Sequence, residues 1–317
     1  MTALPKRVVI EEQGFRDGLQ PEKVIIPTER KIELINAVAD AGIKRIQVTS
    51  FVHPKLVPQM ADAEAVCKRL DHTRDVVYSG LVLNEKGMQR AADAGLKHVG
   101  ASISASDTHS RKNANASLPE ARQRFVKMVR QGKQYNLTIR GGLQCVFGCR
   151  FEGRIDKTVV FDLIKEQLDL GIDEVALADS TGMAHPNSIS EIAGHVRELA
   201  GDIPLYLHLH DTEGKGLANA VAALGVGLSH FETAFGGMGG CPFIKGASGN
   251  ISTEDLVFML GQMGIHTGVD IHKLAQVSRS LETVIGKTFA GKMHHVLEQK
   301  NIAIVYGPNN VALKERP

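Results

Sequence analysis

The stretch "TERKIELINAVADAGIKRIQVTSF" (residues 28–51) changes its repeat partway along. Over 28–42, Ile32, Leu34, Ile35, Val38 and Ala41 return close to every 3.6 residues, and Gly42 stands where a helix ends. From Arg45 to Phe51 the run is short, apolar and β-branched, which reads as a strand. The same exchange recurs along the chain. Strand candidates lie at 7–13, 45–51, 76–83, 98–105, 138–147, 174–180, 205–212 and 230–237. Amphipathic segments such as "FDLIKEQLDLGI" (161–172) and "KGLANAVAALGVG" (215–227) fill the gaps.

Strands that each feed a helix are expected to be parallel with right-handed crossovers, and eight such pairs close into a (β/α)8 TIM barrel. An open doubly wound sheet would use fewer strands for this pattern. The expected organisation is an α/β barrel over residues 1–265, ending with the helix "STEDLVFMLGQMG" (252–264). A helical C-terminal extension over 266–317 is expected to pack on it.

A single barrel uses nearly all of the 317 residues, and 43% apolar content supplies its core. A net charge of +2, with Lys and Arg dispersed, argues against a nucleic-acid partner. The opening "MTALPKRVVIEEQ" lacks the apolar core of a signal peptide, and no apolar run is long enough to span a bilayer. Cys67, Cys145, Cys149 and Cys241 read as reduced thiols, so a cytoplasmic protein is expected. Cys145 and Cys149 are expected to be buried.

Chemistry in such a barrel sits at the carboxyl ends of the strands. "LYLHLHDTEG" (205–214) brings His208 and His210 to one strand face, as residues two apart must be. Alone, the pair suits a hydrogen-bonded core as well as it suits chelation. Its company changes that. Strand one runs out into Arg16 and Asp17, strand two ends with Gln47, Thr49 and Ser50, and strand six ends at Asp179. Strand eight leads into a glycine-dense loop carrying Cys241 and Asn250. Strands one, seven and eight are neighbours in a closed barrel, so Asp17, His208, His210 and Asn250 can meet around one divalent ion. The oxygens suit Mg²⁺ or Mn²⁺; the imidazoles tilt the choice toward Mn²⁺, Co²⁺ or Zn²⁺.

Arg16 is either half of an ordinary ion pair or a fork that stabilises an enolate beside the metal. Cys241 is either a small core residue or a proton donor on a closing loop. "IGKT" (285–288) lacks the upstream glycine of a P-loop, since position 281 is Leu. His294 and His295, in the helical tail, are expected on a solvated face.

The motifs "FRDGLQPEK", "TSFVHPKLVPQMAD", "ADSTGMAHP", "HLHDTEGKGLANA" and "GGMGGCPFIKGASGNISTEDLVFML" resemble the 3-hydroxy-3-methylglutaryl-CoA lyases, in the same order from about residue 7 to residue 265. The resemblance implies a metal-dependent lyase that cleaves 3-hydroxy-3-methylglutaryl-CoA, an acyl-CoA thioester, to acetyl-CoA and acetoacetate. It implies Asp17, His208, His210 and Asn250 as ligands of a divalent cation, Arg16 as the carbonyl's partner and Cys241 as the mobile acid. Lys23, Ser50, Asp179 and Glu254 correspond to substrate-site residues, and a homodimer is implied. Three departures stand out. Gln47 replaces the usual glutamate, "EEQGFRDG" differs from the usual "VEVGPRDG", and Ile285, Gly286 and Lys287 stand where the family's tail has a polar Asn-Arg-Lys. They direct attention to a paralogue acting on another branched 3-hydroxyacyl-CoA. A condensing enzyme would carry a different strand-eight loop, and a non-catalytic acyl-CoA-binding barrel would not need Arg16 and Cys241.

Overall fold

In the computed structural model, which describes residues 4–240 and 249–298, eight parallel strands close into a barrel in chain order. They are β1 (Val9–Glu12), β2 (Arg45–Ser50), β3 (Val77–Val82), β4 (His98–Ser104), β5 (Thr138–Gln144), β6 (Glu174–Asp179), β7 (Leu205–Leu209) and β8 (His230–Thr233). Helices follow each strand: α1 (Thr28–Asp40), α2 (Ala63–Arg69), α3 (Glu85–Asp93), α4 (Asp107–Ala114) with α5 (Leu118–Gln134), α6 (Lys157–Asp169), α7 (Pro186–Ala200), α8 (Gly216–Gly225) and α9 (Thr253–Gln262). β4 is thus followed by two helices, because Asn115, in the left-handed region, ends α4 before Ser117 caps α5. Closure sets Glu12 of β1 beside Ile46 on one side and Thr233 on the other. The two ends of the sequence therefore share one rim.

Five strands end one residue before their expected ends, and three end three or four residues short. β5 stops at Gln144 because Cys145 takes a left-handed φ of 57°. β7 stops at Leu209, and His210 bridges instead to Asn250. β8 stops at Thr233, ahead of a tight turn at Phe235–Gly237 in which Gly236 and Gly237 both have positive φ.

The barrel interior is apolar only in part. Near the amino ends of the strands, Glu11, His98, Arg140 and Glu174 are buried, with Arg45 almost so. Arg45 Nε lies 3.0 Å from Glu11 Oε2, and its Nη2 lies 2.8 Å from Glu174 Oε1. Arg140 Nε lies 2.9 Å from Glu174 Oε2 and also pairs with Glu11 and Glu232, while its guanidinium lies over the Tyr206 ring. Burial opposes these charges, but the arginines hold Glu11 below the ordinary carboxylate range. His98, Arg140 and Arg45 do the same for Glu174.

Beyond the barrel, α10 (Ile271–Ile285) packs on α1, α9 and the Phe235–Gly237 turn, burying Leu274, Val277 and Leu281. α11 (Met293–Val296) folds back on α10. This corrects the expectation for His294 and His295. His294 is wholly buried, and both imidazoles face Glu282. "IGKT" ends a helix, with Gly286 as its left-handed cap, whereas a P-loop would begin one. Cys145 and Cys149 are buried thiols, as expected. Among the described residues, no helix is long and apolar enough to cross a membrane.

Candidate active site and metal centre

Arg16 and Asp17 reach the mouth on one turn of π-helix, Gly14–Gly18, in which the amides of Arg16, Asp17 and Gly18 all donate to the Gln13 carbonyl. Gly14 makes the turn possible. A Cβ there would lie 2.5 Å from the Phe235 ring and 2.8 Å from Glu12 Oε1. Glu12 ties the turn down: its Oε1 accepts from Gly14 N (2.7 Å) and Phe235 N (2.9 Å), and its Oε2 from Thr253 Oγ1 (2.7 Å). Burial pushes the Glu12 carboxyl up to about 8, against these three hydrogen bonds.

His208 and His210 emerge from β7 on the same face, with their Nε2 atoms 3.1 Å apart. Asp17 Oδ2 lies 3.8 Å from His208 Nε2 and 3.5 Å from His210 Nε2. Three donor atoms from opposite ends of the sequence thus surround one point. Asn250 Nδ2 donates to Asp17 Oδ2 (2.8 Å) and to the Met238 carbonyl (3.0 Å), while its Oδ1 is buried and accepts no hydrogen bond. A buried amide oxygen left over beside a carboxylate and two imidazoles fits a divalent cation. Burial alone would raise the Asp17 pKa. The Arg16 guanidinium, a hydrogen bond from His210 and the charges of both imidazoles hold it well below the usual range, so it stands ready as an anionic ligand.

Two further residues shape this centre. Glu232 Oε2 lies 3.0 Å from His208 Nδ1, which turns Nε2 toward the site. Burial works against the Glu232 charge, but the His208 hydrogen bond and the Arg140 charge hold its carboxyl down, at about 2. Arg16 is gripped at each nitrogen: Nε by Gln47 Oε1, Nη1 by Asp17 and Nη2 by Gln13 Oε1 at 3.0 Å. Arg16, Asp17, Gln47, His208 and His210 line a cavity of about 260 Å³ with Arg140 and Glu232 deeper in. Val52, Val57, Leu81 and Leu83 give it an apolar wall.

Lys23, Ser50, Asp179 and Glu254 do not line this cavity. Asp179 is buried, and its two oxygens accept from Met183 N (3.0 Å) and Ala184 N (3.1 Å); burial pushes it up to about 6. Glu254 Oε2 accepts from Gly236 N (2.8 Å) and Ser252 Oγ (3.0 Å), and its Oε1 accepts from Ser278. Ser50 is buried at the end of β2, and Lys23 is exposed on the segment before α1. Cys241 lies outside the described residues.

Glu12, Gln13, Arg140 and Glu232 were not anticipated from the sequence. Strands of a parallel barrel usually run almost continuously apolar. The charges inside "IEE", "TIRGG" and "HFETA" were therefore a signal that the interior held a polar network.

A parallel eight-stranded barrel with a carboxylate, two imidazoles and an amide converging at its mouth, and an arginine fork beside them, defines a metal-dependent barrel enzyme. The HMGL-like family model matches residues 7–281. The mitochondrial hydroxymethylglutaryl-CoA lyase of Macaca fascicularis is 40% identical over 92% of this chain and 90% of its own. The cytoplasmic 3-hydroxy-3-methylglutaryl-CoA lyase of Danio rerio is 44% identical over 86% of this chain and 82% of its own. The solved structure of an HMG-CoA lyase from Acenitobacter baumannii, in complex with coenzyme A and 3-methylmalate, superposes with a TM-score of 0.88. It shares 41% identity, covering 93% of this chain and 96% of that one. The chain belongs to the HMGL-like family, a family of metal-dependent lyases.

Proposed function

We propose that this protein cleaves 3-hydroxy-3-methylglutaryl-CoA to acetyl-CoA and acetoacetate. The observation that carries the reading is the convergence of Asp17, His208 and His210 with the unpartnered Asn250 amide oxygen, directly beside the Arg16 fork. Asp17, His208, His210 and Asn250 hold the divalent cation, Mg²⁺ or Mn²⁺. When bound, such an ion supplies Lewis acidity toward the substrate's hydroxyl and a neighbouring oxygen.

The residues account for the remaining steps. The hydroxyl proton passes to a carboxylate oxygen of Asp17 and from there resets the acid for the next turnover, while His208 Nε2 would stay on the cation with its Nδ1–H held by Glu232. The C–C bond then breaks, its electron pair moving onto the thioester enolate as the hydroxyl carbon becomes the acetoacetate ketone. Arg16 meets the enolate oxygen, its guanidinium already held by Gln13 and Gln47. Cys241 returns a proton to the enolate carbon. The apolar wall of Val52, Val57, Leu81 and Leu83 gives the branched, methyl-bearing part of the acyl group a dry surface.

A second reading takes a different branched 3-hydroxyacyl-CoA as the substrate. It is favoured by Gln13 and Gln47, because two of the departures from the resembled pattern fall on Arg16. One experiment separates the two: acetyl-CoA release from 3-hydroxy-3-methylglutaryl-CoA by metal-stripped protein, before and after Mn²⁺ or Mg²⁺ is restored. Release is expected only with metal, and Asp17→Ala should abolish it. If wild-type protein with bound metal releases nothing, the first substrate is wrong and the second reading takes its place.

A further inference from the structure

A second set of ligand-type side chains meets away from the mouth. Among the described residues, only Asp17–His208–His210 and Glu282–His294–His295 bring three such atoms within 4.8 Å of one another. In the second set, Glu282 Oε1 lies 3.1 Å from His294 Nε2 and 3.3 Å from His295 Nε2. The Phe289 amide donates to that same oxygen at 2.6 Å. The two rings lie close and tilted, with centroids 3.9 Å apart and planes 40° apart.

A carboxylate oxygen has two lone pairs, and Phe289 N–H and His294 already use them. His295 Nε2 faces the oxygen without making a hydrogen bond, and it is buried at the atom level. As a bare nitrogen it would set a lone pair against an oxygen lone pair, and as N–H it is a buried donor whose facing oxygen is already taken. Protonating both rings would instead set two imidazolium charges side by side, with centroids 3.9 Å apart. A cation shared by the three atoms removes both conflicts. Arg279 donates to the His294 carbonyl rather than to the ligand atoms, so it leaves the centre open.

We propose that Glu282, His294 and His295 form a second cation site suited to Zn²⁺ and structural in role. Two imidazole nitrogens and one carboxylate oxygen match zinc better than magnesium, and water completes the tetrahedron. The location gives the role. Between Glu282 and His294 the chain lays Phe289 on Gly236, and Gly291 N donates to the Gly236 carbonyl at 2.8 Å. Lys292 N and Met293 N both donate to Asp255 Oδ1, at 3.0 and 2.7 Å. The ion pins α11 to α10 and so presses this segment onto the turn that follows β8. The site stands apart from the chemistry at the mouth.

The test uses the full chain carrying Asp17→Ala, which removes a ligand from the mouth. After stripping, loading with Zn²⁺ and dialysis, this protein is expected to retain one equivalent of zinc. Its Co²⁺ form is expected to show the visible absorption of a tetrahedral ion. Adding His295→Gln, at a residue about two-fifths exposed by side chain, should remove both the equivalent and the absorption. It should also abolish the rise in unfolding temperature that Zn²⁺ produces in the Asp17→Ala protein. No retained zinc in the Asp17→Ala protein, or the same zinc with and without His295→Gln, would overturn the proposal.

Discussion

Arg16 carries a full positive charge, yet two of its three partners are neutral amides. Its one carboxylate, Asp17, also faces the two imidazoles. The charge is therefore not spent on a private counter-ion and stays available to an enolate. Gln47→Glu would change this balance by adding a negative charge beside the guanidinium and the cation ligands. The expected outcome is Mn²⁺ affinity raised by roughly 3- to 10-fold, shrinking as salt is added. An unchanged affinity in a metal titration would show that position 47 is screened from the ion. At this scale the two-residue spacing put His208 and His210 on one strand face without deciding their use, and it was barrel adjacency that brought Asp17 and Asn250 to them. Gln13 and Glu232 were not, because their value lies in which nitrogen they meet, and a linear pattern does not carry that.

One element positions both Arg16 and Asp17: the π-turn at Gly14–Gly18, fastened by Glu12 to both the Phe235 turn and α9. Glu254 in turn fastens the Phe235–Gly237 turn through Gly236 N. The Phe235 ring is packed and cannot yield as a flexible side chain would. Gly14→Ala should therefore push Arg16 and Asp17 away from the imidazoles. The expected cost is about 10- to 100-fold in metal affinity, the range seen when groups behind metal ligands are disturbed. Titration of the variant with Mn²⁺ checks it, and wild-type affinity would mean that the turn relaxes freely. The existence of each strand was readable from its apolar run. The ends of β5, β7 and β8 were not, since a left-handed Cys145, a bridge from His210 to Asn250 and a pair of positive-φ glycines ended them.

For the molecule as a whole, the alternation of strand and helix made the barrel legible, while its charged interior was visible only as misplaced letters in the strands. That interior makes stability depend on acid. Glu11 and Glu174 titrate lower in the folded chain than their ordinary value of 4.5. Their stabilising contribution is present above that value and is lost as pH falls through the depressed folded values. Thermal unfolding of the wild type should therefore shift downward steadily below about pH 4.5. Glu174→Gln should be less stable at neutral pH by about 3 kcal/mol, since Arg45 and Arg140 lose a buried partner. Its unfolding temperature should fall less with acid than the wild type's. Parallel pH curves for the two proteins would remove Glu174 from this role.

The cation centre draws its donors from residues 17, 208, 210 and 250, and β1 meets β8 only when the ring is complete. An arc of seven strands would own both imidazoles and lack their geometry. With the proposed cation bound, the site would act as a latch on the ring, favouring the closed circle over any opening that parts β1 from β8 by mass action. A ring open at that seam would hold no complete site.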